Sequence, residues 1–320
     1  MKLFLAAASC VALAAPVQAA EPATAYPEKS IRVIVPFAPG AAADTFGRMA
    51  GQKFNEAWKQ PVIVDNRPGG GAVVGADIVA KAPADGYTLL LTTPAFVINA
   101  TGVRQLPFDT VRDFAPVSLF ASTSMIIVSN PSLPVKTVKE LMAYAKSQPG
   151  MLTFASAGNG TINQLGMELL KLQGVQMTHV PYKGGGPALT DVAGGQVHLM
   201  LSTVTAAQSL IKAGRLRPIA VSTAKRIELF PDVPTVAETL PGFEAINWSG
   251  IVAPAGTPPA IVAKINGVLV RMLRDADVKE KLAREGADPV GSTPEQFTTF
   301  VRNEIVKWTK VVKETGATLD

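Results

Sequence analysis

The chain has 320 residues, a formal net charge of +5 at pH 7 and a hydrophobic content of 48%. That content can form one large or two smaller hydrophobic cores, which excludes an intrinsically disordered chain. Lysine and arginine are scattered without forming a basic run, so a nucleic-acid partner is not expected.

Residues 1–20 have the three-part pattern of a secretory signal peptide. Lys2 is their only charge, an apolar stretch covers residues 3–15, and residues 17–19 (VQA) form a small-x-small cleavage site. The apolar stretch is shorter than the ~20 residues that span a membrane. We therefore predict a signal peptide over residues 1–19, its cleavage, and a periplasmic mature protein.

The only cysteine, Cys10, lies inside this predicted signal peptide. Lipidation of Cys10 is the alternative, but the residues before it lack the leucine that usually precedes a lipidated cysteine by three positions. Without Cys10 the mature chain can form no disulfide, thiolate nucleophile or cysteine metal site.

Short β-branched runs then alternate with helical segments. The pattern predicts strands at 31–37, 61–65 and 87–91 and helices at 43–57 and 73–81. This alternation is typical of a parallel sheet whose two faces are covered by helices.

The same alternation restarts in the second half of the chain. It predicts strands at 125–128, 152–154, 176–180, 197–201 and 216–221, and helices that start after Thr137 and at 163, 187 and 206. Pro218 indicates that the last of these strands lies at a sheet edge or starts later. Three C-terminal helices, at 260–274, 275–284 and 293–316, are expected to pack back onto the first half.

The two arrays are not separated by a low-complexity linker, which argues against independent domains in tandem. We predict an α/β fold of two lobes, each a mostly parallel sheet flanked by helices, joined by crossing strands near 114–124 and 245–253. Lobe 1 would comprise residues 20–120 plus 250–320, and lobe 2 residues 121–249.

Common catalytic and cofactor motifs are incomplete. Val74 occupies the third glycine position of a dinucleotide-binding pattern, and alanine follows Gly75 where a P-loop requires lysine. His179 and His198 are not spaced as metal ligands, and Phe154 replaces the first glycine of a nucleophile elbow around Ser156. An acid/base pair of carboxylates stays open, because one sequence cannot pair them in space.

Two glycine-containing loops each follow an apolar strand and precede a helix. They are residues 36–44 (PFAPGAAAD) and 156–161 (SAGNGT). Small residues let backbone N–H groups approach a ligand, and a helix N-terminus adds unpaired donors with partial positive charge. The loops could therefore form a carboxylate site made of backbone; alternatively, they are ordinary turns in which Asp44 and Thr161 cap helices.

At these loops the chain resembles the solute receptors of tripartite tricarboxylate transporters, also called the Bug family. The resemblance covers nearly the whole predicted mature chain. Its segments, in order, are 26–27 (YP), 31–40 (IRVIVPFAPG), 64–69 (VDNRPG), 82–90 (APADGYTLL), 154–160 (FASAGNG), 180–184 (VPYKG), 229–235 (LFPDVPT) and 253–258 (APAGTP).

The resemblance implies a two-lobed periplasmic binding protein, type II-like, that closes like a hinge on a small organic carboxylate. It implies a monomer that serves the integral membrane permease subunits of a transporter, with no enzymatic activity, cofactor or metal. The ligand contacts it implies are Phe37, Ala42, Ala43, Asp44, Thr93, Ala95, Ser156, Ala157, Gly158, Thr161, Tyr182 and Thr203.

Two departures from the family pattern concern the ligand. Many relatives carry two glycines where this chain has Gly40 and Ala41, and alanine tolerates positive φ poorly. Many also carry histidine where this chain has Asn163 and Gln164, which cannot become cationic. Which acid binds stays open, as do two other functions: a sensor that signals to a membrane partner, and an exported hydrolase or lyase.

Overall fold

The computed structural model describes residues 25–40, 42–102 and 105–319. The predicted signal peptide at 1–19, with Cys10, lies outside these residues, and so does Ala41. The predictions made for those positions stay predictions.

Strands and helices alternate along the described chain, as the sequence pattern indicates. The strands are β1 (Ile31–Val35), β2 (Val62–Asn66), β3 (Thr88–Thr92), β4 (Phe114–Thr123), β5 (Met125–Ser129), β6 (Thr153–Ser156), β7 (Thr178–Pro181), β8 (Leu199–Thr203), β9 (Arg217–Val221), β10 (Asn247–Pro254) and β11 (Ala287–Pro289). The helices are α1 (Ala42–Trp58), α2 (Val73–Ala80), α3 (Pro94–Ile98), α4 (Val138–Ser147), α5 (Ile162–Lys171), α6 (Gly185–Gly194), α7 (Val204–Lys212), α8 (Pro259–Met272), α9 (Ala276–Arg284) and α10 (Pro294–Thr315).

The strands form two mixed sheets. The first has the order β11-β4-β10-β3-β1-β2, and the second has the order β7-β6-β8-β5-β9. Parallel pairing is confined to β2-β1-β3 and to β7-β6-β8; the other neighbours are antiparallel. The two-lobed α/β prediction is confirmed, but the expectation of mostly parallel sheets is wrong.

The crossing strands explain the mixed sheets. The chain passes from the first sheet into the second between β4 and β5, and it returns to the first through β10. Since β4 and β10 carry the chain in opposite directions, they pair antiparallel along their length, from Asn247 opposite Thr123 to Pro254 opposite Phe114. The lobe boundaries at 120/121 and 249/250 stay a prediction.

Several predicted helix and strand ends are found in the structure. Thr137 caps α4, and a complete capping box from Thr293 to Gln296 opens α10. Strand β9, with Pro218, lies at the edge of its sheet. Helix α8 begins at Pro259, one residue before the predicted start, with Pro258 as its N-cap, and the Thr257 hydroxyl donates to the Pro254 carbonyl 2.8 Å away.

Helix α10 connects the two sheets through its packing. It contacts β4 and α3 on the side of the first sheet and α5 on the side of the second. The expectation that the C-terminal helices pack onto the first lobe is therefore incomplete. Within the described part of the chain, no helix combines the length and apolar character needed to cross a bilayer.

Candidate functional site

A cavity of about 310 Å³ lies between the two sheets, where several helices begin. Residues from both halves of the chain form its wall. They are Phe37, Ala42, Ala43, Phe46, Gly71, Thr93, Pro94, Ala95, Asn99, Met125, Asn159, Gly160, Thr161, Ile162, Asn163, Thr203, Asn247, Ser249 and Leu319.

The first side of the cavity is the start of α1. Phe37 lies two residues after the end of β1, and Ala42 and Ala43 are the first two residues of the helix. The first N–H groups of a helix have no partner within it and carry partial positive charge. Two alanines at this point leave that backbone open to a ligand, while Phe46 adds an apolar surface one turn further on.

The opposite side is the start of α5. Gly160 has a left-handed φ of 71°, and Thr161 is the N-cap, whose hydroxyl oxygen accepts from the Gln164 N–H. The same hydroxyl donates to the Gly158 carbonyl at 2.6 Å, which fixes the loop before the helix. The side-chain amide nitrogen of Asn163 donates to the Leu201 carbonyl at 2.8 Å. A second helix N-terminus therefore faces the one in α1 across the cavity.

Strand ends and the crossing strand complete the wall. Thr93 follows β3 and Thr203 is the last residue of β8. They are the N-caps of α3 and α7, yet neither side chain makes a cap hydrogen bond. Their hydroxyls are therefore not committed to their own helices. Asn247 and Ser249 reach the cavity from alternate positions of β10.

The cavity wall carries no formal charge. Among the lining residues that the structure describes, there is no lysine, arginine, histidine, aspartate or glutamate. The described residues also contain no cluster of three or more histidine, cysteine, aspartate or glutamate side chains suited to a metal ion. An anion here would be held by backbone N–H groups, hydroxyls and amides.

The structure brings part of the predicted ligand set together. Phe37, Ala42, Ala43, Thr93, Ala95, Thr161 and Thr203 line the cavity, whereas Asp44, Ser156, Ala157, Gly158 and Tyr182 do not. The residues that sequence reasoning missed include Phe46 and Ile162, which follow the predicted loops on their helices. Asn247, Ser249 and Leu319 were missed because they come from distant parts of the chain. The ligand role of every one of these residues stays a proposal.

Asp44 lies behind the first loop instead of in the cavity. Its carboxylate, 5% exposed, accepts from the Gly40 N–H at 3.0 Å, from Arg48 at 3.1 Å and from Asn66 at 2.9 Å. Burial raises the pKa of Asp44, but these three donors outweigh it and hold the pKa below the ordinary value of 3.8. The carboxylate therefore stabilises the loop and is saturated with donors.

We expect Asp44→Ala to lower the free energy of unfolding by about 1–3 kcal/mol, because it removes the buried carboxylate that accepts from Gly40, Arg48 and Asn66. Since the pKa of Asp44 is lowered by folding, its stabilisation is present above pH 3.8 and is lost as the pH falls below that value. Urea denaturation of both proteins at pH 7 and pH 2.5 measures this. A variant with unchanged stability but lost ligand affinity would assign Asp44 to ligand recognition instead.

Ser156 and His179 support the second loop from behind. Ser156 is fully buried, and its hydroxyl lies 2.7 Å from His179 Nε2 and 3.1 Å from the Gly158 nitrogen, which donates to it. The imidazole stacks on Phe154, with ring centres 4.9 Å apart. Burial, assisted by the charge of Lys171, lowers the pKa of His179 to about 4, so the imidazole is neutral at pH 7.

This neutral histidine predicts a loss of stability in mild acid. Between pH 6.5 and 4 the unfolded chain binds a proton at His179 and the folded chain does not, so stability falls as the pH falls through this window. The loss attributable to His179 is on the order of 3 kcal/mol at most. We expect His179→Gln to reduce the difference in unfolding free energy between pH 7 and pH 4. An identical pH dependence in the two proteins would contradict the assignment.

Tyr182 and Ala157 do not line the cavity, and each makes a hydrogen bond to α6 or to its N-cap. The Tyr182 hydroxyl donates to Asp191 at 2.7 Å, and burial with this partner raises the pKa of Tyr182 to about 12. The Ala157 carbonyl accepts from the Gly184 N–H at 3.0 Å. Ala157 therefore connects the second loop to the N-cap of α6, and Tyr182 contacts the last turn of the same helix.

Comparison with known proteins identifies the same architecture. The family model described as tripartite tricarboxylate transporter family receptor matches residues 46–317. The protein BugT of Bordetella pertussis is 37% identical over 321 residues, covering 99% of this chain and 96% of BugT.

Two solved structures are also similar. Rpa4515 of R. palustris, solved with adipate, has a TM-score of 0.78 and 36% identity, covering 92% of this chain and 100% of that one. MatC of Rhodopseudomonas palustris, with bound malate, has a TM-score of 0.74 and 32% identity, covering 90% and 100%. The chain therefore belongs to the tripartite tricarboxylate transporter family of receptors, which are periplasmic solute-binding proteins.

Proposed function

We propose that this protein is a periplasmic receptor that captures a small organic carboxylate between its lobes and delivers it to a membrane permease. The observation that carries the proposal is the pair of helix N-termini, of α1 and α5, that face one cavity from opposite sides. Each offers unpaired N–H donors and a partial positive charge to an anion.

The composition of the wall favours a carboxylate over other ligands. An uncharged wall of hydroxyls, amides and backbone donors can hold an anion without the desolvation cost of a buried cation. The apolar side chains of Phe37, Phe46, Met125 and Ile162 provide contacts for the hydrocarbon part of an organic acid. The adipate and malate bound by two similar proteins are small carboxylates of this kind.

Binding would favour the closed arrangement of the lobes. Ala42 and Ala43 belong to the side of the first sheet, and Thr161 and Thr203 belong to the side of the second. A ligand that contacts both sides stabilises closure, because those contacts are lost when the lobes separate. The permease would then recognise the closed receptor; in the alternative function, a signalling partner would recognise it.

A ligand screen tests this proposal. Small mono-, di- and tricarboxylates are added to the refolded, ligand-free protein, and hits in thermal unfolding are confirmed by calorimetry. A carboxylate should raise the melting temperature by mass action, while the matched neutral amide should not. No response to any carboxylate, or an equal response to the amide, would overturn the proposal. Recovery of the acid unchanged after long incubation would exclude the hydrolase or lyase alternative.

Transport and signalling are distinguished by the partner. Reconstitution with the permease subunits in vesicles should give uptake of the identified acid that depends on this receptor. If the acid binds but no uptake occurs with those subunits, the sensor function is favoured instead.

A further inference from the structure

The segment that follows α10 reaches the ligand cavity. The helix ends at Thr315, and Gly316, with a left-handed φ of 67°, turns the chain. Ala317 is then buried among core side chains, and Leu319 lines the cavity. Residues 317–319, called the tail segment below, therefore belong to the cavity wall although they lie far in sequence from the two loops.

Gln164 attaches the tail segment to the second loop. Its amide nitrogen donates to the Thr318 carbonyl at 3.3 Å, and its amide oxygen accepts from the Gly160 N–H at 2.8 Å. Gln164 is 1% exposed, so its side chain has little freedom to adopt another conformation. One buried side chain therefore positions both the loop and the tail segment.

Leu319 lies beside that loop. A methyl group added at Gly160 would lie 3.7 Å from the Leu319 side chain, so the glycine leaves a small space between them. Leu319 also packs against the core cluster that contains Ile162 and Trp308. Helix α10 fixes the start of the tail segment, because it packs on elements of both sheets.

Leu319 adds an apolar side chain to the wall, next to the polar loop that includes Asn159 and Thr161. A polar or charged ligand group placed against Leu319 would lose water without gaining a hydrogen bond, which costs free energy. A hydrocarbon group placed there would bind more favourably, because its apolar surface would be buried. The size of the group that fits depends on how much of the cavity Leu319 fills.

We propose that Leu319 is a specificity-determining residue: it contacts the hydrocarbon part of the carboxylate and limits its length, with Gln164 as the positioning residue. This inference rests on the proposed carboxylate-receptor function. It assigns the size limit of the ligand to the tail segment instead of to the loops that hold the carboxylate.

The test compares chain-length profiles. Dissociation constants of the straight-chain monocarboxylates from butyrate to octanoate, and of the matching dicarboxylates, are measured by calorimetry. Leu319→Ala should move the preference toward longer chains and change the long-to-short affinity ratio by about tenfold. Leu319→Phe should move the preference toward shorter chains. Val306→Ala is the control, because Val306 lies on α10 with 71% of its surface exposed.

The outcomes separate the two proposals. If wild type binds carboxylates but both Leu319 variants keep its length profile, the tail-segment proposal is wrong and the receptor function stands. If wild type binds none of the acids, both proposals fail. Gln164→Leu should shift the chain-length preference in the same direction as Leu319→Ala. If this variant instead weakens the binding of all acids by an equal factor, Gln164 has only a structural role.

Discussion

Replacing Gly158 by alanine is expected to weaken ligand binding by about tenfold or more. Gly158 has a φ of 134°, which side chains rarely adopt, and an added Cβ would lie 3.2 Å from the Tyr182 carbonyl oxygen. The strain costs about 1–3 kcal/mol and is relieved only if the loop moves. Since the Gly158 carbonyl accepts from Thr161, the movement would displace the N-terminus of α5.

A matched control separates loop geometry from general destabilisation. Gly174, beyond the end of α5, also has a positive φ, of 88°, and an added Cβ there meets no atom within 4 Å. Gly174→Ala should therefore lower the melting temperature while leaving the dissociation constant unchanged. Calorimetry of both variants with a ligand found in the screen measures the difference. Wild-type affinity in Gly158→Ala would show that this loop does not position the ligand.

The parts of the site that could be predicted are local in sequence. A strand, a loop of small residues and a helix follow one another at 31–58 and at 153–171. In a βα unit the loop lies at the carboxyl end of its strand, so both loops could be placed at a sheet edge without coordinates. The loops that contain Ala42, Ala43 and Thr161 were predicted on this basis, and the family resemblance then implied these three residues as ligand contacts.

Asp44 and Ser156, which the family resemblance implied as ligand contacts, do not line the cavity. Both belong to the predicted loops, but a loop has an inner and an outer surface that sequence spacing does not distinguish. The partners Asn66 and His179, which come from other segments, decide that both side chains point away from the cavity.

The remaining residues depend on long-range packing. Leu319 reaches the cavity only because α10 packs across both sheets, and no local pattern predicts where a helix end will lie. The antiparallel strands were missed for a similar reason: β-branched runs look alike in either direction, and the crossing connections set the direction.

Strand β10 links the cavity to the core through its alternation. Asn247 and Ser249 line the cavity, while Trp248 and Gly250 face α10. A Cβ on Gly250 would lie 2.3 Å from the Phe297 ring, so the glycine is needed for this close packing. The strand that connects the lobes is thus held against α10 on one face and presents polar groups to the ligand cavity on the other.

Trp248→Ala is expected to lower the free energy of unfolding by about 3–5 kcal/mol. Trp248 is 1% exposed and packs edge-to-face on Phe297 and Phe300, with ring centres 5.9 Å and 5.4 Å away. Its removal leaves a cavity between the crossing strand and α10. Equilibrium urea denaturation measures the loss. A cost below about 1 kcal/mol would show that this contact does not hold the strand in place.

The indole nitrogens of two buried tryptophans give a sharper comparison. Trp248 Nε1 is buried without a hydrogen-bond partner in the described structure, whereas Trp308 Nε1 donates to Glu304 at 2.9 Å. Trp248→Phe removes an unsatisfied donor, whereas Trp308→Phe leaves the buried Glu304 carboxylate without one of its donors. We therefore expect Trp248→Phe to lower the free energy of unfolding by about 1–2 kcal/mol less than Trp308→Phe does. Equal costs in the same denaturation experiment would mean that the hydrogen bond to Glu304 contributes no net stability.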